Sequence, residues 1–123
     1  MHQNRPKNLN LLTIRFPLAA IVSIFHRISG AFLFIMIPFF LWVLQLSLTP
    51  EGFGHLQWLS KGLLFKGASF LFLSGLIFHF VAGIRHLLSD LHIGSSLTGG
   101  RFSARLTWIF AIVLIILLGI WLW

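Results

Sequence analysis

Residues 67–84 read GASFLFLSGLIFHFVAGI and run on into Arg85-His86-Leu87-Leu88-Ser89-Asp90. No charged side chain interrupts residues 67–84. A run of that length approaches the ~20 apolar residues that carry a helix across ~30 Å of hydrocarbon. The stretch holds a single histidine. At about 100° per residue, His79, Gly83, His86 and Asp90 fall on one helical stripe about 60° wide, and Gly75 lies one turn before His79 on nearly the same stripe. An imidazole at membrane depth with glycine a turn above and a turn below has room beside it for something large and flat.

Working outward, residues 28–50 and 106–123 are also free of charge. Hydrophobic residues make up 58% of the 123-residue chain and charged residues 9%, against roughly 25% charged in a soluble domain. Fold class follows: an all-α integral membrane protein with a single membrane domain. The expected layout is a basic arm over residues 1–16, then transmembrane helices over about 17–47, 61–89 and 103–123. Pro17 suits a first helical turn, and Pro38 predicts a kink inside the first helix. Pro50-Glu51-Gly52 reads as a stop, residues 51–60 as a short external connection and residues 94–100 as a Gly/Ser/Thr loop. Trp42, Trp58, Trp108, Trp121 and Trp123 read as interface anchors, with Trp42 alternatively packed inside. The first span is too long and too aromatic for a cleaved signal peptide, so all three spans are expected to be retained.

The formal net charge is +7, and Glu51 and Asp90 are the only acids. Cationic flanks of a membrane protein explain this balance better than nucleic-acid binding does. Arg5, Lys7 and Arg15 precede the first span, and Arg85, Arg101 and Arg105 sit around the second loop. That bias places the N-terminus and second loop in the cytoplasm and the C-terminus in the periplasm, or in the intermembrane space of a mitochondrion. The absence of cysteine excludes disulfides, thiolate haem ligation, iron–sulfur ligation and Cys-type zinc sites within this chain.

Two polar constellations remain. On the first helix, Ser23, Arg27 and Gly30 share a face and His26 flanks it. An arginine at membrane depth costs at least ~2.5 kcal/mol and faces a partner or a wet cavity. Arg27 either satisfies headgroups and carbonyls or binds a ligand such as a propionate or a quinone oxygen, which suit a guanidinium donor. On the second helix, a neutral imidazole is a good axial ligand for haem iron, and its other nitrogen then needs an acceptor, often a backbone carbonyl. The competing reading of His79 is a helix–helix hydrogen bond. His86 meets a propionate or pairs with Asp90 at i+4. Arg85 reads as a cytoplasmic-end anchor. His2, His55 and His92 read as solvated loop residues.

Taken together, Arg5-Pro6-Lys7-Asn8 through Thr13-Ile14-Arg15-Phe16-Pro17, the Ser-Ile-x-His-Arg-x-Ser-Gly motif from Ser23 to Gly30, and His79-x3-Gly83-x-Arg85-His86-x3-Asp90 resemble the cytochrome b membrane-anchor subunit of succinate dehydrogenase (respiratory complex II). The resemblance covers nearly the whole chain. The N-terminal arm is of the proteobacterial kind and lacks the Ser-Pro-His element common in mitochondrial relatives. That favours a bacterial source and the bacterial inner membrane.

The resemblance implies that the three helices form half of a heterodimeric helix bundle, completed by a second three-helix anchor subunit. It implies one haem b between the two subunits, with His79 as one axial iron ligand and a partner histidine as the other. Ser23 and Arg27 match positions lining a ubiquinone site, and His26 and Arg27 match positions near the haem propionates, with His86 a further candidate. The basic arm and cytoplasmic helix ends would dock an iron–sulfur subunit that carries electrons from a flavoprotein. The chain then serves as a non-flavin subunit of succinate:quinone oxidoreductase and is not catalytic in isolation. Two alternatives stand beside this reading: a haem-free quinone-binding anchor of a fumarate reductase, and a membrane scaffold or assembly protein without redox chemistry.

Overall fold

A computed structural model describes Asn10, residues 13–94 and residues 96–123. The expected arm cations Arg5 and Lys7, together with His2, lie outside the described residues. Four helices form among the described residues: α1 (Leu18–Ser47), α2 (Pro50–Leu59), α3 (Leu63–Asp90) and α4 (Leu97–Leu122). α1, α3 and α4 are each long and apolar enough to cross a membrane. At 1.5 Å per residue, the 30 residues of α1 exceed what a ~30 Å hydrocarbon layer requires. Pro38 lies inside α1, which runs past it without a break.

Two boundaries differ from expectation. The segment read as an external connection is the helix α2. Thr49 caps it by accepting the Gly52 N–H at 3.1 Å, Pro50 fills the first helical turn and Glu51 faces the helix dipole. The same three residues that stop α1 therefore start α2. His55, expected in a solvated loop, lies on α2 and stacks on Trp58 at 6.0 Å between ring centroids. α4 begins at Leu97, within the segment read as a loop, because Ser96 accepts the Gly99 N–H at 3.0 Å. α3 ends in a Schellman turn. His92 takes a left-handed conformation (φ 62°), its N–H reaches the Ser89 carbonyl at 3.0 Å, and the Ile93 N–H reaches Leu88 at 3.0 Å.

α3 packs on both α1 and α4, and α1 also meets α4. Small residues line the contact: Val22, Ala82, Ala104 and Ala111 are buried, with Phe78 the one large side chain among them. Lipid tails are as apolar as leucine, so close backbone approach and van der Waals contact hold such helices together. Trp108, read as an interface anchor, instead packs inward. Its ring lies 5.5 Å from Phe25 and 5.0 Å from Phe78, so one aromatic cluster ties all three spans together. The large apolar side chains elsewhere point outward, as Phe34, Ile35 and Leu71 do.

Arg85 supplies a further link. Its Nε donates to Ser103 Oγ at 3.1 Å, and its terminal guanidinium nitrogen donates to the Gly100 carbonyl at 3.4 Å. The residue read as an anchor to the membrane surface thus also clamps the first turns of α4 onto α3.

Candidate functional site

α1 and α3 run antiparallel. The register is read from Phe40 against Phe72, Phe32 beside Gly75, Gly30 against His79 and His26 against His86. This register brings the two polar constellations to one level of the protein. His26 stacks on His79 at 4.2 Å with 10° between the ring planes, and lies 4.8 Å from His86. One histidine of α1 and two of α3 form one ladder.

His79 is held from one side. Its Nδ1 lies 3.1 Å from the His26 carbonyl oxygen and 3.1 Å from Ser29 Oγ. Its Nε2 has no hydrogen-bond partner among the described residues and is not buried, so this nitrogen is open. The carbonyl that fixes the ring is a backbone group of α1 and also accepts from the Ser29 hydroxyl at 2.9 Å.

The glycines beside His79 do not leave room for a flat group in the way the stripe predicts. A Cβ on Gly75 would meet the Phe32 ring at 3.3 Å, and a Cβ on Gly83 would meet His26 Nε2 at 3.3 Å. Both gaps are filled by α1. The glycine that lies directly against His79 is Gly30, whose Cβ would sit 3.0 Å from Cε1 of the imidazole. The space beside His79 is therefore on its open Nε2 side, and the glycines set how closely α1 approaches α3.

The remaining candidates divide. His86 joins the ladder, and its Nε2 is buried with no hydrogen-bond partner. Of the two alternatives for His86, the Asp90 pairing takes the form of a nearby charge without a hydrogen bond: Asp90 is exposed but within electrostatic reach of the imidazole. Arg27 and Arg85 lie within electrostatic reach of His86. Ser23 is partly exposed and Arg27 exposed, one turn apart on α1. Neither makes a side-chain hydrogen bond to the described residues, so both present polar groups to the outside of this chain. No group of three or more His, Asp or Glu side chains that would hold a bare metal ion occurs among the described residues.

Ser29 has no role in the sequence reading, yet it is buried at the centre of the site and also donates to the His26 carbonyl at 2.9 Å. The signal for it was its position three residues after His26 and next to Gly30, on the side of α1 that meets α3.

Residues 1–119 match the family described as the succinate dehydrogenase/fumarate reductase transmembrane subunit. The chain belongs to this family. It is 41% identical to the succinate dehydrogenase cytochrome b556 subunit of Coxiella burnetii (strain RSA 493 / Nine Mile phase I), over the full length of both chains. It is 35% identical to the cytochrome b556 subunit of Paracoccus denitrificans, covering 83% of this chain and 79% of that one. It is 32% identical to the succinate dehydrogenase cytochrome b560 subunit of Reclinomonas americana, over 73% and 67%. The similarity is to proteobacterial succinate dehydrogenase cytochrome b subunits in particular. With its three apolar spans, this member of the transmembrane-subunit family is a multi-pass membrane protein.

Proposed function

We propose that this chain is the membrane-anchor and electron-transfer subunit of a succinate dehydrogenase. In this reading it binds haem b jointly with a second three-helix anchor and forms part of the ubiquinone-reduction site. The observation that carries the reading is the state of His79: Nδ1 is engaged by two oxygens of α1 and Nε2 is open. That is what an axial imidazole needs, an acceptor behind the ring and a free lone pair in front. The names of the relatives, cytochromes b556 and b560, support the same cofactor.

Haem b, when bound, supplies a one-electron carrier between the iron–sulfur subunit and the quinone region. The chain's own residues do the holding. His79 would hold the haem iron through Nε2, and a histidine of the partner anchor would supply the other ligand. His26, Arg27 and His86 cluster at the level where haem propionates would need donors. Arg27 and Ser23, outward-facing and one turn apart, supply a guanidinium and a hydroxyl to a quinone carbonyl. His79 lies about nine residues, roughly 13 Å, from Leu88 near the cytoplasmic helix ends, a distance that keeps haem and quinone close to the docked iron–sulfur subunit. The flavoprotein sits beyond that subunit. The N-terminus is cytoplasmic, the C-terminus periplasmic and the membrane the bacterial inner membrane.

In purified complex, a dithionite-reduced minus oxidised spectrum shows a b-type haem. His79→Ala abolishes it, and added imidazole restores part of it. An unchanged spectrum and haem content in His79→Ala would remove the axial assignment. One observation favours a second reading: the bonds from His79 to His26 and Ser29 also join α3 to α1, as a purely structural histidine would. A haem-free quinone-binding anchor of a fumarate reductase is that case, and it predicts no Soret absorbance in the intact wild-type complex.

Ser23→Ala and Arg27→Leu assemble and lose quinone reductase activity about tenfold or more. A hydrogen bond to a charged group is worth ~1.5–3 kcal/mol. Succinate-driven reduction of a water-soluble dye by the same preparations stays at the wild-type rate, because the soluble subunits are untouched. Normal quinone turnover in both variants would refute the quinone assignment. Failure of both to assemble, with no separable loss of turnover, would favour a scaffold.

A further inference from the structure

We infer that Ser29 is a positioning residue for His79: its hydroxyl fixes which ring nitrogen carries the proton and strengthens Nε2 as a donor. The inference rests on the proposed axial role of His79 and adds a residue to it.

Two oxygens converge on one nitrogen. Ser29 Oγ and the His26 carbonyl are both 3.1 Å from His79 Nδ1. The carbonyl has no proton to give, so it demands an N–H at Nδ1. A serine has a single hydroxyl proton. Here Ser29 donates it to the same His26 carbonyl, at 2.9 Å. Its lone pairs are then left facing Nδ1. Were the hydroxyl to turn and donate to an unprotonated Nδ1, the His26 carbonyl would face a ring lone pair at 3.1 Å, a repulsive contact inside a low-dielectric bundle. The consistent arrangement is a triangle. Ser29 donates to the carbonyl, and Nδ1–H is shared between the carbonyl and Ser29 Oγ. Nε2 is therefore the lone-pair nitrogen, and it is the open one.

Ser29 is 9% exposed and the His79 ring fills the space beside Gly30, so no water replaces the hydroxyl easily. A second acceptor on Nδ1–H pulls charge toward Nε2 and makes the ring a stronger donor. A stronger donor stabilises the ferric state more than the ferrous state. Removing the hydroxyl therefore raises the haem reduction potential and weakens haem retention.

The test is redox titration of the haem and pyridine-haemochrome stoichiometry in the intact purified complex, comparing wild type with Ser29→Ala. The expected result is a low-spin b-type spectrum with the ferrous/ferric ratio at fixed potential raised up to about tenfold, ~59 mV for one electron. Haem is also lost faster to apomyoglobin. An unchanged potential and unchanged haem loss in Ser29→Ala overturn the inference while leaving His79 as ligand. A wild-type complex without haem, or a His79→Ala complex that keeps it, overturns the underlying function instead. Should Ser29→Ala fail to assemble, the isosteric pair Ser29→Thr and Ser29→Val decides. Wild-type potential and haem content in the threonine variant, with either altered in the valine variant, supports the hydroxyl. The same result in both, including loss of haem or of assembly in both, overturns it, since size and not the hydroxyl would then be what the site requires.

Discussion

In the proposed haem-binding complex, Gly30→Ala lowers haem occupancy about tenfold, and Gly30→Val abolishes it. The cause is steric. A Cβ at residue 30 would stand 3.0 Å from Cε1 of the His79 imidazole and 3.5 Å from its Nδ1. The ring cannot simply slide away, because Nδ1 is held at 3.1 Å by both the His26 carbonyl and Ser29 Oγ, and His26 is stacked on its face at 4.2 Å. An alanine forces the ring off these oxygens by a few tenths of an ångström. That turns Nε2 away from the axis along which the proposed haem iron would bind. Changes behind a metal ligand cost roughly 10–100-fold in affinity, and the two further methyls of valine leave no arrangement with α1 and α3 in register. Haem per complex, read by pyridine haemochrome, checks the prediction. Full occupancy in Gly30→Val would mean that His79 does not need this position to ligate.

Gly52→Ala destabilises the protein by about 3 kcal/mol, near the upper end for overpacking a tight site, whereas Gly54→Ala changes stability by no more than ~0.5 kcal/mol. The two glycines lie on the same short helix, so composition does not separate them. A Cβ on Gly52 would overlap the carbonyl oxygen of Leu46 and stand 2.7 Å from Thr49 Oγ1, the oxygen that caps α2. The first obstacle is backbone and cannot rotate away. A Cβ on Gly54 meets nothing within 4 Å. Relief of the Gly52 clash requires opening the corner between α1 and α2, which loses the Thr49 cap as well. Thermal unfolding in detergent, with both variants measured beside wild type, provides the check. Equal stability of the two would show that the corner is not closely packed.

Much of the fold is legible in the sequence because bilayer chemistry leaves few options. Residues 28–50, 67–84 and 106–123 carry no charge, and only a helix satisfies its backbone inside hydrocarbon. α2 is not legible by the same reasoning. Pro50-Glu51-Gly52 ends one helix and begins another with the same chemistry, and a ten-residue helix shows no span-length signal. The start of α4 is hidden because Gly99 and Gly100 read as loop residues. Both lie inside the first turn, where a Cβ on Gly99 would press on the Gly94 carbonyl and the backbone carbonyl of Gly100 accepts from Arg85.

The candidate site divides along the same line. The stripe through His79, Gly83 and His86 is a local property of one helix, so spacing alone reveals it. Which group fills the gap beside each glycine is not local. It depends on the register of α1 against α3, and that register puts Phe32 at Gly75, His26 at Gly83 and His79 itself at Gly30. Trp108 illustrates the same limit. Tryptophan favours interfaces in general, but this one fills the space between Phe25 and Phe78.

By itself, then, the sequence determined that the chain spans a membrane three times and that its polar chemistry lies on the first and second spans. Hydrophobic length and helical period are properties of consecutive residues. Only the tertiary structure decided that His26, His79 and His86 form one ladder, that Ser29 and a backbone carbonyl share Nδ1 of His79, and that Nε2 is the open nitrogen. Those facts belong to pairs of residues about fifty positions apart. They are settled by how closely small side chains allow two antiparallel helices to approach.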